Sequence, residues 1–436
     1  MSQTVRLFLR LAFWCALLAL LTEPALALPI FARRYETSCT TCHVVIPKLN
    51  AFGTAFRNNG YRIPVDDAAL VKTKDVPLGA DEWKKLWPKA VWPGAIPGMP
   101  PVAVRVMMDV NIRPSTPVNV NFDFPNGIAG YFAGSAGESF SFFGTVFLQG
   151  TTNAIFLDRA YGQFKLFKET PGQNWLTIKL GRIDTRAEPF SSTNRKTTSQ
   201  NFNVGDFRAT GGGFAFRDHD AGIELWGAAT GPDNHGGVEY AAGIVQGTAG
   251  RPENNNYKDF YWTASYKFGG LGVVGSRMRE TANPNSPQGY TETALTVGTF
   301  SYVGRSLPTL TGVTEDRFRR HGVKVDAWLG KLNVFGTAVL GTDDLLGANP
   351  RTVDSSAFMG EADYQLLPWV MPVFRFEKTN FSDGRRATNL AIPAINFLVR
   401  ANVRVLAEGR FYNRIGADVS GRTGLNEGLI RLDFLF

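Results

Sequence analysis

The chain has 436 residues, 44% apolar, 12% aromatic and only 19% charged, with a formal net charge of +8. That balance fits a folded protein with a large core and excludes a disordered or collagen-like chain. After the first two dozen residues no stretch approaches the roughly 20 uninterrupted apolar residues of a spanning helix, which excludes a helical membrane protein. The modest, unclustered positive charge gives no ground for a nucleic-acid partner. With 46 Gly, 33 Phe, 12 Tyr and 9 Trp, glycine at turns and aromatics on strands point to an all-β protein.

Residues 1–27 have the form of a secretory signal peptide. Arg6 and Arg10 lead, the apolar run Leu11 to Leu21 follows, and Ala25-Leu26-Ala27 supplies small residues for cleavage. The mature chain is expected to begin at Leu28, and Cys15 leaves with the signal. Of three cysteines in the sequence, two then remain, Cys39 and Cys42.

Both lie in Cys39-Thr40-Thr41-Cys42-His43, the CxxCH spacing of covalent c-type haem attachment. Two thiols at this separation reach two vinyl groups on one porphyrin edge, and the next residue, an imidazole, turns under the ring to bind iron. Three other readings exist. A thioredoxin-like pair needs a βαβ context that the surroundings lack, a structural zinc needs a fourth ligand that no second Cys or His pair offers, and a disulfide would close a very tight loop. The expected cofactor is therefore one covalent haem c.

After the motif, Pro47 to Gly60 has the pattern of a short helix, with Leu49, Phe52, Gly53 and Phe56 on one face and Gly53 admitting the haem ring closely. A second short helix is expected at Asp81 to Trp87, presenting Trp83, Leu86 and Trp87. Arg33, Arg34, Lys48 and Arg57 are candidates to pair with the haem propionates. For the sixth iron ligand, Met99 in Ile96-Pro97-Gly98-Met99-Pro100-Pro101 is the first candidate, in a rigid loop similar to the Pro-flanked Met loop of small cytochromes c. Met107 and Met108, in a strand, and His219, His235 and His321, at turns, compete with it. The haem segment is taken as residues 28–101.

From Val102 to Phe436 the chain becomes a series of segments about ten residues long with alternating apolar and polar positions, divided by Gly, Asn, Asp and Pro clusters. The clearest is the first, with Val102, Val104, Val106, Met108, Val110 and Ile112 on one face and Arg105, Asp109 and Asn111 on the other. At about 20 residues per strand and loop, the region holds roughly 16 strands of a transmembrane antiparallel β-barrel. Polar positions predict a wet or plugged lumen. The terminal strand Ile430 to Phe436 resembles the C-terminal signature of outer-membrane barrels. The polar connection Asp184 to Asp206 is either a constriction folded into the lumen or an outer loop; Asn254 to Asn256 and Glu280 to Gly289 read as further outer loops. No catalytic carboxylate or nucleophile stands out.

The run Phe31-Ala32-Arg33, the CxxCH motif, Pro47, Leu49-Asn50-Ala51-Phe52-Gly53, Phe56 and Asn59-Gly60-Tyr61 resembles the haem segment of the fused monohaem cytochrome-porins of bacterial outer membranes, the family of the iron-oxidising outer-membrane cytochromes. The match covers about 30 residues and makes Cys39 and Cys42 the thioether sites and His43 the proximal ligand. The chain departs from the iron oxidases just after His43, where Val44, Val45 and Ile46 replace polar residues that include a histidine. The resemblance implies an outer-membrane cytochrome-porin that passes electrons between an extracellular donor such as Fe(II) and a periplasmic c-type cytochrome, an Fe(II):cytochrome c oxidoreductase activity. Two other readings stand beside it: a diffusion porin whose cytochrome segment is a plug or docking piece, and a conduit carrying electrons outward to an extracellular acceptor.

Overall fold

In β5 (Val102–Ile112), Ala103, Arg105, Met107, Asp109 and Asn111 are buried, while the six aliphatic and Met residues between them lie on the opposite face. Polar side chains turned inward and apolar ones outward are the pattern of a barrel wall in lipid. No described helix is long and apolar enough to cross a membrane. The structure, a computed structural model, describes residues 29–64, 67–77, 85, 95–97, 101–113, 118–137, 139–150, 152–167, 172–191, 193–208, 213–275, 291–307, 311–384, 387–415 and 426–436.

The strands after β5 are β6 (Val120–Ala136), β7 (Phe140–Gln149), β8 (Ala154–Lys165), β9 (Gln173–Ile183) and β10 (Asp220–Thr230). Then come β11 (His235–Val245), β12 (Asp259–Leu271), β13 (Glu292–Ser306), β14 (Val313–Gly330) and β15 (Leu332–Gly347). The wall ends with β16 (Arg351–Tyr364), β17 (Val370–Phe381), β18 (Ala387–Arg400), β19 (Val403–Ile415) and β20 (Glu427–Leu435). They form one closed antiparallel barrel of 16 strands in sequence order, as the length of the region predicted. β20 closes on β5, and Phe436 exchanges two backbone hydrogen bonds with Val104 at 2.8 and 2.9 Å. Closure leaves no unpaired edge.

The end that carries Val102 and Phe436, here the proximal end, has the tightest turns. Leu329 pairs with Leu332 across Gly330 and Lys331, and Gly330 takes φ +61, which a two-residue hairpin of this hand requires. The distal end carries the long connections between β9 and β10 and between β11 and β12; the connection from β12 to β13, residues 272–291, is at the proximal end, so the expected outer loop Glu280 to Gly289 falls on the opposite end from Asn254 to Asn256. Aromatics cluster outward at both rims, with Phe167, Trp175 and Trp369 proximal and Tyr257, Phe260 and Phe411 distal.

The segment ahead of the barrel contains α1 (Ile30–Tyr35), a 3-10 turn at Cys39–Thr41, the short β1 (His43–Val45) and β2 (Lys48–Leu49), α2 (Ala51–Asn58) and α3 (Asp67–Leu70), then the paired β3 (Asp75–Pro77) and β4 (Ala95–Pro97). The helix expected from Pro47 starts later. Residues 48–49 are drawn into pairing with β1, and Asn50 caps α2 by accepting from the Gly53 amide at 2.8 Å. The expected signal peptide, the helix expected at Asp81 to Trp87 apart from residue 85, Met99 and Glu280 to Gly289 lie outside the described residues.

Two segments enter the lumen. One is the N-terminal segment that carries the CxxCH motif, at the proximal end. The other is the connection between β9 and β10, whose described residues fold inward and include α4 (Asn203–Asp206). Its Phe190, Phe202, Phe214 and Phe216 pack with Phe300, Tyr302, Phe318 and Phe335 of the wall in one buried cluster. The lumen is therefore plugged, as polar strand faces suggested, but partly apolar inside, because the loop brings its own aromatics to the wall.

Candidate haem site in the barrel lumen

The CxxCH motif sits on a short turn held from two sides. The Asn50 side chain donates to the Thr41 carbonyl at 3.0 Å and the Asn50 amide donates to the Cys42 carbonyl at 3.0 Å, so one residue both caps α2 and fixes the motif's backbone. Gly53 has a reason different from the one expected. A Cβ there would collide with the Cys42 carbonyl oxygen and come within 2.9 Å of Leu49, so the glycine serves the contact between α2 and the motif backbone.

Cys39 and Cys42 are free thiols, and burial pushes their pKa values up to about 11 and about 12. Both are protonated thiols at neutral pH. The His43 imidazole is pushed down to about 4, first by burial, with the Arg105 guanidinium acting in the same direction. It is neutral, the form that ligates iron. Its Nδ1 lies 3.2 Å from the Pro47 carbonyl oxygen and donates to it in the tautomer that leaves the Nε2 lone pair free. Two uncrosslinked thiols and an imidazole oriented through Nδ1 fit the donor set of a c-type haem.

The barrel wall holds this segment. Lys48, fully buried, pairs with Asp363, donates to the Asn333 side chain at 2.6 Å and stands over the rings of Trp328 and Phe335. Val44 and Val45 pack on Trp328, Met371 and Val373. At the end of α2, Asn58 donates to Glu239 at 2.5 Å and to the Val273 carbonyl at 3.1 Å, while Lys165 donates to the Asn59 carbonyl at 3.1 Å. The Tyr61 and Tyr161 hydroxyls are 2.9 Å apart, and Tyr61 stacks on Phe143. These wall residues lie mostly toward the proximal ends of their strands.

Three of the four cations expected for the propionates are committed elsewhere. Arg33 donates to the Val102 carbonyl at 2.5 Å, Lys48 pairs with Asp363, and Arg57 pairs with Asp184 at 3.1 Å. Arg34 keeps Nε and Nη1 buried without a hydrogen-bond acceptor. Among the competing iron ligands, Met107 faces the lumen and Met108 the opposite side of β5. His321 is not at a turn, as the sequence suggested, but in the middle of β14 on the outward face, where it has no access to the lumen. His219, at the distal start of β10, holds Asp158 at 3.0 Å, and His235 holds the Gly270 carbonyl at 2.9 Å on a proximal turn. Sequence reasoning missed Met371, which packs beside Val44 and Val45, and the lumen cations Arg105 and Lys196. The period-two pattern already marked Arg105 as facing inward; nothing in the sequence marked the other two.

No family model matches the chain, and no curated protein matches it. Solved structures do. An anion-selective porin from Comamonas acidovorans superposes with a TM-score of 0.52 at 9% identity, covering 77% of this chain and 98% of that porin. Salmonella typhi OmpF, in complex with daunomycin, gives a TM-score of 0.50 at 11% identity, covering 77% of this chain and 97% of that one. The fold is that of an outer-membrane porin barrel. Its 16 closed strands indicate the bacterial outer membrane.

Proposed function

We propose that the chain is an outer-membrane electron-transfer cytochrome-porin. It would move electrons between an extracellular donor, possibly Fe(II), and a periplasmic c-type cytochrome. The observation that carries this reading is the seating of Cys39, Cys42 and His43 inside the barrel, with His43 oriented by Pro47 and its neighbour Lys48 fixed to Asp363. A c-type haem bound there supplies one-electron exchange at iron. The chain's own residues do the rest. Cys39 and Cys42 would hold the porphyrin edge, His43 would offer a neutral Nε2 to the iron, and the wall would fix the segment's depth. Lipid carries neither charge nor unpaired polar groups, so a redox centre serving both faces must lie within the membrane's thickness in a protein shell. Apart from the connection between β12 and β13, the proximal turns are short, and the rule that outer-membrane barrels place short turns in the periplasm supports a segment toward the periplasmic side, within reach of a soluble acceptor.

Ferrous iron or a membrane-impermeant reductant added to intact cells is expected to reduce the haem absorption band, with no response in a Cys42→Ala variant. A haem reducible only after lysis contradicts the reading. Porin-like ion current through the purified protein in a planar bilayer would favour a diffusion porin, because a lumen filled by both segments passes little.

A further inference from the structure

Among the described residues, five arginines have a buried nitrogen with no hydrogen-bond acceptor: Arg34, Arg159, Arg195, Arg375 and Arg404. Four of them are still held by a carboxylate, Arg159 by Asp184 at 3.1 Å, Arg195 by Asp326 at 3.0 Å, Arg375 by Glu361 at 2.6 Å and Arg404 by Asp433 at 3.0 Å. Arg34, on α1, is the exception. It forms no ion pair with a described carboxylate, and two of its donors, Nε and Nη1, are orphaned. Its guanidinium carbon lies 5.9 Å from the centre of the Tyr35 ring, but the Tyr35 hydroxyl donates to Asp67 at 2.6 Å and accepts from neither nitrogen.

A second orphan is next to it. The Lys72 amide donates to the Arg34 carbonyl at 2.9 Å and Val71 packs on Tyr35, which sets residues 71–73 beside α1. The Thr73 hydroxyl oxygen is buried there without a partner. Arg34 and Thr73 are the only orphaned side chains among the described residues of the segment ahead of the barrel. Buried polar groups are ordinarily satisfied, and an unpaired charged donor is the costliest kind to leave. Two such groups side by side mark a place that a ligand completes.

The pair belongs to the body that carries the CxxCH motif. α1 ends at Tyr35, and just beyond it the Thr37 and Thr41 hydroxyls are 2.7 Å apart, Thr41 lying between the two cysteines. Tyr35 meets Phe56 of α2 edge-on at 5.8 Å, and Phe52 and Ala55 of the same helix pack on Cys42. A ligand for a guanidinium and a hydroxyl is an anion. Since Nε and Nη1 are closed to solvent, an anion tethered to this body fits better than a free one. A porphyrin attached at Cys39 and Cys42 brings carboxylates of that kind. We propose that Arg34, with Thr73, binds a propionate of that porphyrin. The assignment rests on the haem reading above and selects, from the four cations named in the sequence, the one that no partner has claimed. A planar guanidinium matches a carboxylate in a way that an ammonium does not.

The test uses holoprotein from the outer membrane, with heat-modifiable migration as the check that each variant has folded. Two quantities are read: the propionate bending bands in the resonance Raman spectrum, and the ratio of reduced to oxidised haem at a poise where wild type is half reduced. Arg34→Met is expected to displace a propionate band and to lower that ratio roughly tenfold, the worth of one unit charge in a partly buried setting. Arg34→Lys keeps the charge without the planar group, so the ratio is expected to return to within about threefold of wild type while the band stays displaced. Thr73→Val removes one hydroxyl and no charge; it is expected to move the band and leave the ratio within about twofold, and it decides the question if Arg34→Met fails to fold. A role in packing α1 alone would leave the propionate bands in place. Acetate or inorganic phosphate at millimolar concentration is expected to change neither quantity in wild type; a change would make this a free-anion site and overturn the proposal. Normal covalent haem with wild-type bands in either Arg34→Met or Thr73→Val overturns the site alone. Absence of a thioether haem in the pyridine haemochrome spectrum overturns the haem reading with it.

Discussion

The two segments that occupy the lumen are held in different ways. The N-terminal segment makes secondary structure of its own, including α2 with its Asn50 cap, and meets the wall through side chains such as Lys48, Val45, Asn58 and Tyr61. The inward loop has almost no regular structure, and the wall supplies what its backbone lacks. Glu224 accepts the Arg186 amide at 2.8 Å, Glu408 the Ser199 amide at 2.7 Å and Glu377 the Asn203 amide at 3.0 Å, while Arg375 donates to the Gln200 carbonyl at 3.1 Å. Buried backbone groups need such partners. The comparison teaches that the haem segment is a folded body docked by packing, whereas the loop's path is written in the charges of the strands it crosses.

The largest effect that would sharpen this contrast is Cys42→Ala. Two-thioether attachment is expected to be lost while the barrel and loop persist, read as loss of the normal pyridine haemochrome band in a protein that still shows heat-modifiable migration. Gly53→Ala comes next. Its Cβ collides with the Cys42 carbonyl, so the yield of attached haem should fall severalfold, checked by absorbance per mole of protein. Lys48→Met leaves Asp363 buried without its partner and is expected to cost about 3 kcal/mol of the docked state; bursts of ion current in a planar bilayer, absent from wild type, would report it. Glu408→Gln weakens the loop's hold by about 1–2 kcal/mol. Proteolysis of residues 193–208 should quicken while the haem spectrum stays the same; a spectrum that changes equally would break the claim that the two fillers are held separately. The smallest effect is Asn50→Ala, about 1 kcal/mol from the lost cap, seen as a slightly lower thermal midpoint of the haem band.

The barrel was legible where lipid and lumen impose opposite demands on neighbouring residues, as in β5 and β20. It was obscure where they do not. In β11 the run Gly236-Gly237 and Ala241-Ala242-Gly243 alternates only in size. In β18, Pro393 interrupts the ladder to β19 between Ala391 and Ala394, so that segment does not look like a strand. Of the candidate site, the motif was plain because haem attachment fixes the residue types at consecutive positions. The wall's share was not. Lys48 and Asp363 meet only when the N-terminal segment docks against the wall, and Arg105 and Asp433 only through closure of the barrel; no local pattern records partners 315 and 328 residues away. The sequence allows the loop to be a constriction or an outer loop for the same reason: its partners Glu224, Glu377 and Glu408 are on strands that follow it.

Haem staining of the outer-membrane fraction on a denaturing gel bears most directly on the central claim, that a covalent haem is carried inside this barrel. A stained band at the mass of the mature chain, whose migration shifts on heating as the barrel unfolds, is the predicted result. An unstained protein in that fraction, or a stained one found only with the soluble periplasmic proteins, would contradict it.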